Sequence, residues 1–227
     1  MHGGDRKLGL WSVIGLTVVG YLYAALYLLF AILFPMQVWN GMADFASYFS
    51  GAYAIMFTII QICAFSISLL MFLFGAVVYQ AAPQGKKAIG LAGFGATAVF
   101  FTFSCFHYVV QWTSVRAGLH SGNLAGLDMF VMSNFDSPLS VVNVIGWTLL
   151  LGIASLCFTA SFPGGGRMKA IRAGFLMNGL ACIFTFVLYT LGIKIAMLGW
   201  TGALTVTWYV YPMLIPVFKN GFVGSGN

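Results

Sequence analysis

The feature that most restricts what this chain can fold into is the length of its apolar runs. The run from Trp11 to Phe34 contains no charged side chain, and a helix of about 20 apolar residues already crosses the hydrocarbon core of a membrane. Strands of a membrane barrel would instead alternate polar and apolar residues over about 10 positions. Only 6% of the residues are charged, against roughly 25% in a soluble domain. We therefore expect a helical integral membrane protein.

Short polar, proline-rich or glycine-rich stretches divide the chain into six predicted spans. The breaks are Pro35, AAPQGKK at 81–87, the polar stretch 113–138 and FPGGGRMK at 162–169. Only Gly192 and Lys194 separate the last two spans, so a tight hairpin and a re-entrant pair are both open there. The fold class is all-α, a polytopic membrane helix bundle forming a single transmembrane domain over 1–227. Its spans are placed at about 11–34, 52–79, 87–112, 139–162, 170–192 and 196–218, with external loops 35–51 and 113–138.

The positions of the ten basic residues predict the direction of threading. Of the two sets created by alternating spans, one holds eight basic residues and the other holds only Arg116 and Lys194. Because loops rich in Lys and Arg stay in the cytoplasm, both termini are predicted to be cytoplasmic. Three of the four carboxylates then lie outside. We expect the protein in a cell membrane, specifically a bacterial inner membrane.

Several classes of function are disfavoured by the sequence. The net charge of +6 sits in the short clusters that encode orientation, so nucleic acid is not an expected partner. The four cysteines all fall inside apolar runs without metal-ligand spacing, and no metal site is predicted. No hydrolase, metalloprotease or nucleotide-binding motif occurs, and the chain has no glutamate. No charge lies in the middle of a span, which disfavours ion-coupled transport.

The polar stretch near residues 104–120 supplies the first candidates for a site. His107 and Gln111 are four residues apart on one helix face, with Ser104 a turn below. The simpler interpretation is a polar stripe that is hydrogen-bonded to neighbouring helices or to water at the outer leaflet. If the stripe is functional, His107 is the natural proton carrier, because its unperturbed pKa lies near neutrality.

The outside carboxylates supply the remaining candidates. In DSPLS, Asp136 or Ser137 is predicted to cap the fourth span, with Pro138 in its first turn. The segment NLAGLDMFVM at 123–132 is predicted to form a short interfacial helix in which Asp128 faces protein and pairs with Arg116 or His120.

Asp44 lies in the aromatic segment between spans one and two. It could join the other titratable groups at one extracellular mouth, over an apolar pocket. The candidate catalytic residues are His107, Asp128 and Asp44, and the candidate substrate-binding residues are Arg116, Gln111 and His120.

Three stretches of the second half of the chain resemble a known group of proteins. They are FHYVVQWTSVR at 106–116, SPLSVVNVIGWTLLLGIASLCFTASF at 137–162 and IRAGFLMNGLACIFTFVLYTLG at 171–192. Over about residues 100–218 the chain resembles small bacterial multi-span membrane proteins of the DUF4386-like kind. The resemblance implies a bacterial multi-helix membrane protein and brings no catalytic residues or cofactor with it.

Three hypotheses of function follow from these features. The first is a non-catalytic subunit or accessory protein that packs against partner proteins or lipids, which the uncharged, aromatic-rich spans favour. The second is a membrane enzyme acting on a lipid or isoprenoid-like substrate at the outer leaflet, with His107 as acid or base, Asp128 or Asp44 orienting it, and Arg116 holding an anionic head group. The third is a passive carrier or sensor of a small molecule that uses the same mouth.

Overall fold

The structure is a computed structural model, and it describes residues 3–34, 39–162, 165–193 and 209–220. All regular secondary structure in these ranges is helical. Five helical segments are long and apolar enough to cross a membrane: Gly4–Leu33, Gly51–Ala81, Gln84–Ser121, Pro138–Ser161 and Gly166–Thr190. They correspond to the first five predicted spans and confirm the all-helical, multi-pass class.

The sixth predicted span, 196–218, falls largely outside the described residues, which include only its end, the helix Tyr211–Asn220. The hairpin at Gly192 and Lys194 extends beyond them as well. A total of six spans and cytoplasmic termini therefore stay predictions.

The described helices are numbered in chain order. They are α1 (Gly3–Leu33), α2 (Met42–Tyr48), α3 (Gly51–Ala81), α4 (Lys87–Val110), α5 (Arg116–Ser121), α6 (Pro138–Ile145), α7 (Leu151–Ser161), α8 (Gly166–Thr190) and α9 (Tyr211–Asn220). One π-helical turn, Gln111–Val115, joins α4 to α5, and a second, Gly146–Leu150, joins α6 to α7. Single-residue expansions of this kind shift the face that a helix presents, and they recur at functional sites.

Neighbouring helices pack in chain order through small residues and stacked rings. α1 packs on α3, α3 on α4, α4 on α7, and α7 on α8. A Cβ added to Gly152 would lie 3.2 Å from the Gly179 carbonyl oxygen, so these two glycines bring the backbones of α7 and α8 together. The core behind them contains Phe74, Phe158 and Phe175, whose ring centroids lie 5.4 to 6.1 Å apart.

The bundle has two chemically different ends. At the first, the terminal end, Arg6 Nε of α1 donates to the Phe218 carbonyl of α9 at 2.9 Å, and the same guanidinium bonds the Lys219 carbonyl. At the opposite end, the loop end, Phe45 of α2 forms a buried cluster with Val115 and Val131. The loop end is the one that the charge distribution predicts to lie outside the cell.

The third span differs from its prediction at the loop end. It was expected to end at 112, but the helix continues through the π turn and α5 to Ser121. It ends where Gly122 adopts the left-handed conformation with φ of 71°. The short helix expected over 123–132 is not formed. Gly126 is also left-handed (φ 73°) and interrupts the segment, so only the turn Leu127–Met129 is helical.

Candidate functional site

The predicted polar stripe on the third span is buried inside the bundle. Ser104, His107 and Gln111 are 1%, 0% and 7% exposed. They lie where α4 and the following π turn face α6 and the segment 130–132. Polar groups of a stripe that points into the protein need hydrogen-bond partners there.

His107 is held on one side only. Its Nδ1 lies 3.3 Å from the Leu139 carbonyl oxygen at the start of α6, and its ring meets the Tyr108 ring edge to face at 4.9 Å. A carbonyl oxygen can only accept, so in the neutral imidazole Nδ1 carries the proton and Nε2 carries the lone pair. Within the described residues, Nε2 has no hydrogen-bond partner.

Asn143 of α6 lies one turn after Leu139, the residue whose carbonyl faces His107. The Tyr108 hydroxyl interacts with the side chains of Asn143 and Trp147. Trp147 in turn stacks on Tyr23 of α1, with ring centroids 6.5 Å apart. Aromatic rings therefore border the polar layer, the name used here for Ser104, His107 and Asn143. The Asn143 amide oxygen is buried, and the structure shows no partner for it among the residues it describes.

Both polar atoms of the Gln111 amide are hydrogen-bonded to the backbone of the segment 130–132. Its Nε2 donates to the Phe130 carbonyl, and its Oε1 accepts from the Met132 backbone N–H at 3.1 Å. The two bonds hold the backbone on both sides of Val131, which is completely buried. Gln111, a candidate for substrate binding, is therefore occupied by the protein's own backbone.

A second clamp on the same segment comes from the start of α6. The backbone N–H of Ser140 donates to Ser137 Oγ at 3.2 Å, and Pro138 occupies the first helical turn, which confirms Ser137 rather than Asp136 as the N-cap. Both serine hydroxyls also reach the Val131 carbonyl at 3.3 Å. Asp136 itself is exposed.

The titratable side chains that were predicted to meet at one extracellular opening do not come together in the structure. Arg116 donates to Thr58 Oγ1 of α3 at 2.5 Å, whereas Asp44, Asp128 and His120 are exposed. No hydrogen bond between described residues joins Arg116 or His120 to the Asp128 carboxylate. The side-chain bond next to Asp128 uses its backbone, since Asn134 Nδ2 donates to the Asp128 carbonyl at 2.8 Å.

The chemistry of the site is that of neutral hydrogen-bonding groups. An imidazole, a carboxamide, a phenol and a serine hydroxyl are buried on α4 and α6, and no carboxylate is among the buried residues that the structure describes. Among the described residues, no group of three His, Cys, Asp or Glu side chains could hold a metal ion, and all four cysteines are free thiols.

Sequence reasoning missed Asn143, Tyr108 and Trp147. A usable signal was present, because Asn143 follows Leu139 by one turn and is the only carboxamide in the fourth span. Comparison of the chain with protein-family models, with curated proteins and with solved structures gives no match. The resemblance over residues 100–218 accordingly stays a prediction.

Proposed function

We propose that this protein is a non-catalytic membrane subunit or accessory protein, located in a bacterial inner membrane, that buries its outer helix faces against a partner membrane protein or lipids. The observation that carries the proposal is the disposition of α1. Only 11% of the residues in its most apolar stretch are buried inside the chain. A helix long enough to cross the membrane thus leaves most residues of this stretch at least partly exposed to molecules outside the chain.

The exposed face of α1 is continuous and apolar. Trp11 is 68% exposed and Ile32 is 71% exposed, with Leu22 and Leu28 between them. The buried face packs on α3 and on α9, and it includes Val13, which is 0% exposed. Apolar surface of this extent is covered either by lipid tails or by another apolar helix.

The interior of the bundle supports the same proposal, because its polar groups connect helices to one another. Asn178 of α8 donates to Ser155 of α7 at 2.7 Å, and Trp112 donates to Gln61 of α3 at 3.0 Å. Such bonds position helices within the hydrocarbon layer. They favour a protein whose role is to hold a defined shape.

Photo-crosslinking in the native membrane tests this proposal. A photoreactive residue is placed at Leu28 or Ile32 on the exposed face of α1, and at Val13 on its buried face as the matched control. We expect one discrete protein adduct from both exposed positions and only intramolecular products from Val13. Adducts with lipid alone at Leu28 and Ile32, together with a lone chain in native mass spectrometry, would refute the proposal that the protein is a subunit of a larger complex.

A second candidate, a membrane enzyme acting on a lipid-like substrate, is favoured by one feature. An apolar hollow of about 140 Å³ opens at the loop end beside the polar layer. Leu139, whose carbonyl faces His107, is one of its walls. The hollow is lined by Phe106, Met129, Phe130, Pro138, Leu139 and Val142.

The enzyme hypothesis is tested with purified lipids or isoprenoid compounds as substrates. His107→Gln and Asp128→Asn should abolish turnover at unchanged folded yield, while Asp136→Asn, another exposed loop-end carboxylate, serves as control. Turnover that survives both changes would remove His107 and Asp128 from the chemistry.

A further inference from the structure

Three buried polar atoms have no hydrogen-bond partner among the residues that the structure describes. They are Ser104 Oγ, His107 Nε2 and Asn143 Oδ1. Their residues are 1%, 0% and 3% exposed. Leaving one polar atom unpaired in an apolar interior is already costly, so three in one region indicate a group that pairs with them.

The register of α4 against α6 places the three residues at neighbouring levels of one interface. Toward the loop end, His107 faces Leu139, and Asn143 interacts with Tyr108. About two turns deeper, the Phe100 ring packs on Trp147 at 5.0 Å. Because the two helices run antiparallel, Ser104 falls between these two levels, opposite the turn that carries Asn143.

The hydrogen-bonding character of the three atoms defines what can bind. With the proton on Nδ1, His107 Nε2 accepts, and the Asn143 amide oxygen also accepts. Ser104 Oγ both donates and accepts. The complementary group therefore donates to the imidazole and the amide and exchanges a hydrogen bond with the serine. No buried carboxylate lies beside these residues to balance a cation.

We propose that Ser104, His107 and Asn143 form a binding site for one neutral hydroxyl-bearing group, supplied either by a water molecule or by the hydroxyl of an amphiphile that enters from the neighbouring apolar hollow. A water molecule can satisfy all three atoms, since it donates two hydrogen bonds and accepts the third. An amphiphile's hydroxyl would bond fewer of them and place its chain against Phe106 and Leu139 of the hollow.

The two π turns support a site at this level. The first begins at Gln111, one turn after His107, and the second begins at Gly146, three residues after Asn143. Each helix is thus locally widened next to the polar layer, on both sides of the interface. The proposal goes beyond the subunit function and stands whether or not that function is correct.

Nitrogen NMR of the full-length protein in nanodiscs tests the site without altering it. All three histidines are labelled with ¹⁵N. The substitutions His2→Gln and His120→Gln then remove the other two signals, so that the remaining signal is assigned to His107. We expect Nδ1 to be protonated and Nε2 to be an acceptor, with a through-space cross-peak from Nε2 to an exchangeable hydroxyl proton. An Nε2 signal of a free lone pair without that cross-peak would overturn the proposal.

The source of the hydroxyl is distinguished in the same samples. A cross-peak at the chemical shift of bound water, with no organic molecule retained in native mass spectrometry, assigns water. A stoichiometric organic molecule that is lost in Ser104→Ala assigns the amphiphile. Retention of that molecule in Ser104→Ala, with no cross-peak in either protein, would count against the site.

A double-mutant cycle gives an independent measure. Ser104→Ala and Asn143→Leu each remove one contact to the bound group, and a shared group makes their effects non-additive. We expect a coupling of about threefold to tenfold in the unfolding equilibrium constant. Ser66→Ala replaces Ser104→Ala in the control cycle, because the Ser66 hydroxyl bonds its own helix at Ile62. Additive effects in both cycles would contradict a shared group.

Discussion

Gln111 and His107 lie one turn apart on the same helical rod, and both are buried, but their hydrogen bonding differs. Both polar atoms of Gln111 are bonded to the backbone of the segment 130–132. His107 bonds Leu139 through one ring nitrogen, and its other nitrogen is unpaired among the described residues, as are Ser104 Oγ and Asn143 Oδ1. The bundle thus contains two polar regions. In the completed region, at the loop end, both polar atoms of Gln111 have partners. In the second region, one turn deeper, Ser104, His107 and Asn143 each have a polar atom without a partner among the described residues.

The difference separates a structural role from a binding role. A buried amide whose nitrogen and oxygen are both bonded to the backbone of a loop holds that loop in place. A buried group with an unpaired atom costs folding free energy that a bound molecule can recover. The two regions should therefore respond in opposite ways to substitution and to added ligand.

Gln111→Leu should produce the largest effect on the completed region. It removes the partners of the Phe130 carbonyl and the Met132 N–H, two part-buried hydrogen bonds worth about 0.5–1.5 kcal/mol each. We expect a loss of about 1–3 kcal/mol in the free energy of unfolding and proteolytic cleavage within 122–136. Denaturant titration in a mild detergent measures the first, and mass mapping of the fragments measures the second.

Gln80→Leu is the matched control for that change, because Gln80 is exposed on α3. Its free energy of unfolding should stay within about 0.5 kcal/mol of the parent protein. Equal losses in the two variants would mean that the Gln111 bonds do not hold the loop.

Ser137→Ala should have the next largest effect. The change removes the N-cap of α6 and a hydroxyl that reaches the Val131 carbonyl. Caps of this kind contribute about 1 kcal/mol, within a range of about 0.5–2. The measurement is the free energy of unfolding, and Ser114→Ala, at an exposed serine, is the comparison. A Ser137→Ala protein as stable as the Ser114→Ala protein would contradict the cap.

Trp112→Phe should weaken the same region by a smaller amount. It keeps an aromatic ring beside Phe65 but removes the indole N–H that donates to Gln61 at 3.0 Å. We expect a loss of about 1 kcal/mol. In the Gln61→Leu background the further loss from Trp112→Phe should largely disappear, since the partner is already absent. A loss of the same size in both backgrounds would rule out the bond as its cause.

The smallest predicted effect is a pH dependence of the free energy of unfolding that comes from Tyr48 at the loop end. Partial burial, and secondarily the Asp44 carboxylate, raises the pKa of Tyr48 above its ordinary value. The folded state therefore favours the neutral phenol. This contribution to stability is present below the ordinary tyrosine pKa of about 10 and is lost as the pH rises through the higher folded value. Tyr48→Phe should flatten the stability profile above pH ~10, and an unchanged slope would disprove the link.

The sequence alone predicted the features that depend on neighbouring residues. Apolar length predicted the five helices that the structure describes as able to span a membrane. The DSPLS pattern predicted an N-cap at Asp136 or Ser137 with Pro138 in the first turn, and the structure has the cap at Ser137. Where a local signal was misjudged, the prediction was wrong. The left-handed glycines Gly122 and Gly126 moved the end of the third span to Ser121 and prevented the expected helix over 123–132.

The partners of the polar side chains were decided only by the tertiary structure. The sequence placed His107, Gln111 and Ser104 on one face, and it predicted that Asp128 pairs with Arg116 or His120. In the fold, Arg116 donates to Thr58 instead. Which side chains meet depends on the rotation and axial shift of each helix relative to its neighbour. A single π turn changes both, and it leaves no mark in the composition or period of the sequence. Spans are local and could be predicted, while the layer of Ser104, His107 and Asn143 exists only because two separate helices are packed in one particular register.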